Sequence, residues 1–288
     1  MLQDVKQQAL TPHQAGVNSF YGSGIDDYHN YHNGYLNFGL WDRDGLTYEQ
    51  AAENLIARLC GLLGLNAESK LLDIGSGMGT QDIFMHRTYR PALIQGLDVT
   101  VKHVARATER QRRENVPESA MRFRHGSGTE IPFPPSSFSH VLSVEAPEHF
   151  DTREKFFHEA FRVLRPGGVL SFSDYPLARQ PKNLFEKFVV WAASRIWHVP
   201  PANLYVNEVF KQKLETAGFK NVTIENVGAL TIPGYYFECR RPESIREIRN
   251  IRGFWKGVLG GYLIDIGVYG AFKAGLCEYN LVRAEKPA

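Results

Sequence analysis

An aspartate and three glycines alternate in Leu72-Asp73-Ile74-Gly75-Ser76-Gly77-Met78-Gly79-Thr80, a spacing suited to a backbone cradle for a small charged ligand. Glycine lets the chain turn sharply and lets a ligand approach with no Cβ in the way. The Asp73 carboxylate can accept a hydrogen bond from a cationic amino group, such as the ammonium of a methionyl moiety. Nicotinamide dinucleotides use a similar loop, but their GxGxxG fingerprint would want its third glycine where Thr80 stands. Asp98 follows 25 positions after Asp73, where a carboxylate can take both hydroxyls of a ribose; a helix N-cap is the plainer use of such a residue. Farther along, Glu145-Ala146-Pro147-Glu148-His149-Phe150 places two carboxylates and an imidazole in one loop, and Asp174 ends a later apolar run. His149 is the member best matched to take a proton near neutral pH. The same histidine can instead cap a helix expected from Arg153 or pack on a ligand. Glu145 is expected beside the ligand or as a support of its own loop, and Glu148 in solvent.

These residues need a frame that brings them to one edge. Ser69–Ile74 and Ala92–Val99 are short apolar runs ending at Asp73 and Asp98, and each is followed by a helical pattern, Asp82–Thr88 and Val101–Glu114. Met121–Arg124, His140–Val144 and Val169–Ser173 continue the series, with a helix over Arg153–Leu164. Such alternation predicts a parallel sheet with helices on both faces, which binds ligands at the carboxyl ends of its strands. Upstream, Ala51, Leu55, Leu59, Leu62 and Leu63 recur at helical spacing in Thr47–Leu65, with Gly64 as the stop. Helices are expected over Leu184–Trp197 and Asn207–Ala217, a sixth strand over Asn221–Val227 and a short last one over Glu278–Ala284.

Three further stretches carry a resemblance. They are Gly126-Ser127-Gly128-Thr129-Glu130-Ile131-Pro132-Phe133, Ser137-Phe138-Ser139-His140-Val141-Leu142-Ser143 and Arg162-Val163-Leu164-Arg165-Pro166-Gly167-Gly168. In order, and together with the Asp73 loop, they resemble the motif series of class I S-adenosylmethionine-dependent methyltransferases. The similarity is greatest to the branch with sterol, tocopherol, sugar and polyketide O-methyltransferases. The resemblance implies a doubly wound, Rossmann-like α/β fold with seven strands, the last inserted antiparallel beside the sixth. It implies S-adenosylmethionine as cofactor, held by Asp73, Gly75, Gly77, Gly79, Asp98, Ser127, Glu145 and Tyr35, with Tyr28 as a further aromatic candidate. At Ser127 the branch usually has an aspartate that receives the adenine amino group; serine accepts one hydrogen bond and brings no charge. Related sugar O-methyltransferases carry a histidine and an acid that His149 and Asp174 resemble, so these two are the expected catalytic pair. The segment Asn33–Trp41 resembles the start of a lid over the cofactor.

The organisation that follows is an N-terminal lid and helix over residues 1–66 and a methyltransferase core over 67–288. Cap insertions are expected at about 176–206 and 233–275. Aromatic rings in these caps, Phe185, Phe188, Trp191, Trp197 and Tyr235 among them, point to an apolar or aromatic acceptor unless they are simply core. Transfer to a hydroxyl oxygen is the expected reaction. Transfer to a carbon of a lipid or isoprenoid is the alternative, and a nicotinamide-dependent oxidoreductase the rival outside the class. A net charge of +2 from 33 basic and 31 acidic residues excludes a global basic field for nucleic acid. Arg240, Arg241, Arg246, Arg249 and Arg252 read as a solvated basic face, the sharper alternative being an anion site for a lipid headgroup or a prenyl diphosphate. Val258–Cys277 is apolar but interrupted by Asp265 and Lys273, which suits a cap or a peripheral membrane contact rather than a spanning helix. Cys60, Cys239 and Cys277 form no CxxC pair, so neither a structural metal nor a disulfide framework is expected, and a reducing cytoplasm suits them.

Overall fold

The computed structural model describes residues 10–23, 32–255 and 260–288. Seven strands form one sheet in the order β3-β2-β1-β4-β5-β7-β6. They are β1 (Lys70–Ile74), β2 (Leu93–Asp98), β3 (Met121–His125), β4 (Phe138–Ser143), β5 (Leu164–Asp174), β6 (Lys220–Asn226) and β7 (Asn280–Glu285). The first five pair in parallel, and β7 lies antiparallel between β5 and β6. The chain order reverses at β1, which has β2 on one side and β4 on the other, and a crevice opens at such a switch point. The last strand thus neighbours the sixth, as the resemblance implies, and also closes against the fifth.

Alternation along the strands supplies a core on each face. Leu71 and Leu142 belong to one buried cluster with Leu55, Leu59 and Met85, while Leu72 and Val141 belong to the other with Phe156, Phe172 and Phe210. A period of two directs successive side chains to opposite faces, so unbroken apolar runs mark strands buried on both. On the first face lie α2 (Tyr48–Leu63) and α3 (Thr80–Tyr89); on the second lie α5 (Arg153–Val163) and α7 (Asn207–Thr216). α2 begins at a capping box between Thr47 and Gln50 and ends at Gly64 in the left-handed region. α4 (Val101–Arg113) packs against β2 and β3 and buries His103, Ala107 and Gln111.

The first described helix before the sheet has no counterpart among the helices expected from the sequence. α1 (Pro12–Ser23) has no acidic residue in its first turn, no basic residue in its last, and glycines at 16 and 22, so neither caps nor periodicity announce it. It lies across the carboxyl edge of the sheet, where Val101 N–H donates to Asn18 Oδ1 at 3.3 Å and Lys102 Nζ donates to the Gly22 carbonyl at 3.0 Å. The rest of the covering is α6 (Leu184–Ile196), α8 (Gly228–Glu238), α9 (Pro242–Gly253) and α10 (Gly260–Lys273). Among the described residues no helix is long and apolar enough to cross a membrane.

The turn from β1 into α3 is the tightest part of the frame. Gly79 sits at the N-cap of α3 with φ 74°, and a Cβ there would fall 2.8 Å from Phe123 Cζ and 2.9 Å from Ala107 Cβ. Both the backbone conformation and the space therefore demand glycine. Gly79→Ala is expected to lower stability by about 1–3 kcal/mol through overpacking and a left-handed alanine. Thermal unfolding measures it, and an unchanged melting temperature would show that α4 can yield.

Candidate active site

A cavity of about 270 Å³ opens at the carboxyl ends of β1, β2, β4 and β5. Gly75, Ser76 and Gly77 line one half with Asp98 and Ser127. Gly75 takes φ 80°, and a Cβ there would meet the Ala146 methyl at 2.4 Å, so the loops after β1 and β4 can touch only because this residue is glycine. Asp98 is buried on the wall. Its Oδ2 accepts from Gly77 N at 2.9 Å, its Oδ1 accepts from Thr100 N at 2.7 Å, and the His103 imidazole stands 3.4 Å away. Burial opposes ionisation, but the imidazole and the two N–H donors outweigh it and hold this carboxyl below the usual range.

Asp73 is placed differently from the expectation. It is fully buried behind the wall, where Oδ2 accepts from Gln81 Nε2 at 2.5 Å, and Asp82 of α3 shares its site. Burial pushes the Asp73 carboxyl up to about 7 and drives Asp82 well above its ordinary value. Asp73 holds the first turn of α3 through Gln81, and the residues that reach the cavity from that turn are Thr80 and Gln81. Glu145 does reach the cavity. Its Oε1 accepts from Phe38 N at 2.7 Å and from Tyr279 Oη at 2.6 Å, and burial pushes it up to about 7. Tyr35 lines the wall with its ring, while its hydroxyl donates to Glu53 Oε1 at 2.9 Å. Tyr28 lies outside the described residues.

Ser127 is buried, and its Oγ accepts from Gln14 Nε2 at 2.9 Å. The same amide donates to Asp151 Oδ2 at 3.1 Å, and Thr11 Oγ1 donates to Asp151 Oδ1 at 3.1 Å. A carboxylate absent at position 127 is therefore supplied at this end of the cavity by Asp151, with α1 holding it. Gln14 and Asp151 carried no sequence signal, because neither belongs to a motif.

His149 sits in a 3-10 turn, Pro147–His149, with Nε2 2.8 Å from Tyr21 Oη of α1. His13 Nε2 bonds the His149 carbonyl at 2.8 Å. Burial lowers the His149 imidazole to about 4, so it is neutral at physiological pH. Glu148 overturns the expectation of solvent exposure: it is 5% exposed, lines the cavity and has Oε1 3.7 Å from His149 Nε2. Burial, then the charges of Asp174 and Glu145, push its carboxyl well above the usual range.

Asp174 does not stand on the cavity wall. It is fully buried and bonded bidentately by Arg153, Nε to Oδ2 at 2.6 Å and Nη2 to Oδ1 at 2.5 Å. Arg153, the first residue of α5, is fully buried and also bonds Asn203 through its N–H and Nη1. Asn203 Nδ2 in turn donates to the carbonyls of Glu148 at 3.1 Å and Phe150 at 2.9 Å. Asp174 therefore reaches His149 only through this chain of contacts, because the guanidinium takes both of its oxygens.

The other half of the cavity is apolar, walled by Tyr175, Leu177, Val189, Val190, Ala193, Trp197, Tyr235 and Leu276. Of the cap rings expected here, Trp197 and Tyr235 face the cavity. Phe185, Phe188 and Trp191 do not: they are 74%, 60% and 54% exposed. Arg240 lies over the Tyr236 ring at 3.5 Å, Arg241 pairs with Glu238 at 3.2 Å, and Arg246 and Arg249 are exposed; none of the four lines the cavity.

The first half of this site fits S-adenosylmethionine: a cradle open at Gly75–Gly77, an ionised carboxylate at Asp98 for the ribose, and Asp151 and Ser127 beyond it. Residues 72–172 match the methyltransferase domain family. The chain is 32% identical over 263 residues to erythromycin 3''-O-methyltransferase of Saccharopolyspora erythraea, covering 88% of this chain and 84% of that protein. It is also 32% identical over 257 residues to 27-O-demethylrifamycin SV methyltransferase of Amycolatopsis mediterranei, covering 88% and 90%. In structure it resembles the cyclopropane synthase MmaA2 of Mycobacterium tuberculosis, with a TM-score of 0.80 at 20% identity over 97% of this chain and 100% of that one. Glycine loop, strand order and relatives agree: the chain belongs to the class I S-adenosylmethionine-dependent methyltransferases.

Proposed function

We propose that this enzyme methylates a hydroxyl oxygen of a small, largely apolar acceptor, with His149 as the base. The observation that carries the proposal is a neutral, buried imidazole at the junction of the two halves of the cavity, bonded to Tyr21. Bound S-adenosylmethionine supplies an activated methyl group on a sulfonium. The protein's tasks are to position the acceptor in line with it, to exclude water and to remove the hydroxyl proton. Tyr21 Oη stands where an acceptor hydroxyl would bond Nε2, so it can take the acceptor's proton while passing its own to His149. Glu145 orients the loop through Phe38 and Tyr279, and the Arg153–Asp174 pair positions the 147–150 turn. Asp174 is thus proposed as a positioning residue rather than as the partner of His149. The two relatives named above, one called a 3''-O-methyltransferase and the other a methyltransferase of a 27-O-demethyl compound, support an oxygen acceptor. C-methylation of an isoprenoid has the apolar half in its favour, and His149 would there take the proton that the methylated carbocation releases, but a carbon acceptor gives Tyr21 Oη nothing to hydrogen-bond. The separated cysteines support action in a reducing cytoplasm.

His149→Ala is expected to lower turnover about a hundredfold or more while S-adenosylhomocysteine still binds. Near-normal turnover with binding intact would end the assignment. The same histidine shapes the pH dependence of stability. Its folded value, about 4, lies below the ordinary 6.5, so the unfolded chain accepts a proton that the folded protein refuses. Its contribution is complete above pH 6.5 and is lost as pH falls toward 4, by about 1.4 kcal/mol per pH unit. His149→Gln should flatten the acid branch of the stability curve across this window, and equal slopes in both proteins would contradict it.

For the cofactor, Asp151 and Gln14 are proposed to receive the adenine amino group in place of an aspartate at 127. Asp151→Asn is then expected to weaken S-adenosylhomocysteine binding about tenfold, in keeping with one charge-assisted hydrogen bond. Calorimetry should show little change for the inosine analogue, which lacks the amine. A similar loss for both ligands would point to a structural role instead.

A further inference from the structure

α6 is apolar on two opposite sides, and only one of them has a neighbour. Val189, Val190, Ala193, Ser194 and Trp197 face inward and wall the acceptor half of the cavity. At 100° per residue, Leu184, Phe188, Trp191 and Arg195 fall on the opposite stripe, with Phe185 and Ile196 on one flank and Lys187 on the other. Leu184 is 83% exposed, and among the described residues five of the ten large exposed hydrophobic side chains belong to this one helix. A helix apolar all round belongs in a core or against an apolar phase. An exposed patch of this kind marks an interaction site.

The charges on the patch decide between occupants. Lys187 and Arg195 are exposed and make no ion pair among the described residues, whereas the helix's one acid, Glu186, is taken bidentately by Arg179 at 2.7 and 3.0 Å. A two-fold contact with a second copy would lay these cations against their own equivalents. Anionic headgroups would neutralise them while Phe, Trp and Leu enter the acyl boundary, the composition of an interfacial helix.

We infer that the outer face of α6 docks on an anionic lipid surface. Docking there sets the acceptor half of the cavity one helix away from the bilayer, so an apolar acceptor partitioned in the membrane needs no passage through water. This last step rests on the acceptor being apolar, as proposed above; the docking itself does not.

Sedimentation of the whole protein with phosphatidylcholine vesicles, with and without phosphatidylglycerol, tests the docking in the absence of cofactor and acceptor. The protein is expected to follow the vesicles that contain phosphatidylglycerol, less so as salt rises, and to stay in solution with phosphatidylcholine alone. Lys187→Gln with Arg195→Gln should reduce binding about fivefold per charge removed. Phe188→Ser with Trp191→Ser should abolish it, with S-adenosylhomocysteine binding kept in both variants as proof of folding. Failure to follow anionic vesicles, or binding that both variants leave unchanged, overturns the inference. So does a lipid-free dimer that the Phe188 and Trp191 changes convert to monomer while the parent ignores vesicles, since that assigns the face to a second copy. Because no acceptor is present, a negative result leaves the methyl-transfer proposal standing.

Discussion

A guanidinium and a carboxylate, Arg153 and Asp174, meet with neither exposed to water, and the geometry of the site depends on this pair. Such a pair must be bonded on every side, because each ion leaves its hydration behind. Here the remaining valences are spent on Asn203 and on the Tyr175 N–H, which donates to Asp174 Oδ1 at 2.6 Å. The rings of Tyr205 and Phe210 cover the guanidinium at 5.2 and 5.4 Å. The end of β5, the start of α5 and the turn at Asn203 are thereby locked together, and Asn203 carries the constraint to the carbonyls on either side of His149.

The same low-dielectric edge of the sheet sorts five carboxyls into different states. Asp98 meets backbone N–H groups at the start of a helix and an imidazole, and it stays ionised. Burial favours the neutral forms of the other four: Asp73 and Asp82 face one another, Glu148 faces Asp174 and Glu145, and Glu145 keeps a raised value in spite of the donors Tyr279 and Phe38. Asp98 on one wall, Asp151 beyond it and the other carboxyls shifted toward their neutral forms leave a cavity edge that suits a cationic cofactor.

Closure comes from both ends of the chain. Residues 33–41 and α1 arrive before the sheet begins, and α6, α8 and α10 after its fifth strand or later. Phe38 stacks on Tyr235 of α8 at 4.3 Å, and Trp41 N–H donates to the Leu230 carbonyl at 2.6 Å, so the early lid and the late cap are one assembly. α1 adds polar contacts at both halves, Gln14 at Ser127 and Tyr21 at His149. Ser127 and His149 are thus bonded by a single helix.

By itself the sequence determined the parallel sheet, the glycine cradle, the carboxylate at the second strand end and the histidine after the fourth. Each of these follows from local pattern: apolar runs of strand length, glycines where a positive φ is required, and polar residues at strand ends. Tertiary structure alone decided that Asp73 and Asp174 turn away from the cavity, that Glu148 is buried, that Arg153 is a core residue, and that the rings of α6 face outward. Those outcomes depend on which neighbour reaches a side chain first. Gln81 and Asp82 engage Asp73, and Arg153 engages Asp174, across 8 and 21 residues of sequence that no local pattern spans. The glycine loop names the methyl donor, because close backbone approach is written in residue type. The rest of the site was decided by packing between distant segments, which residue type does not record.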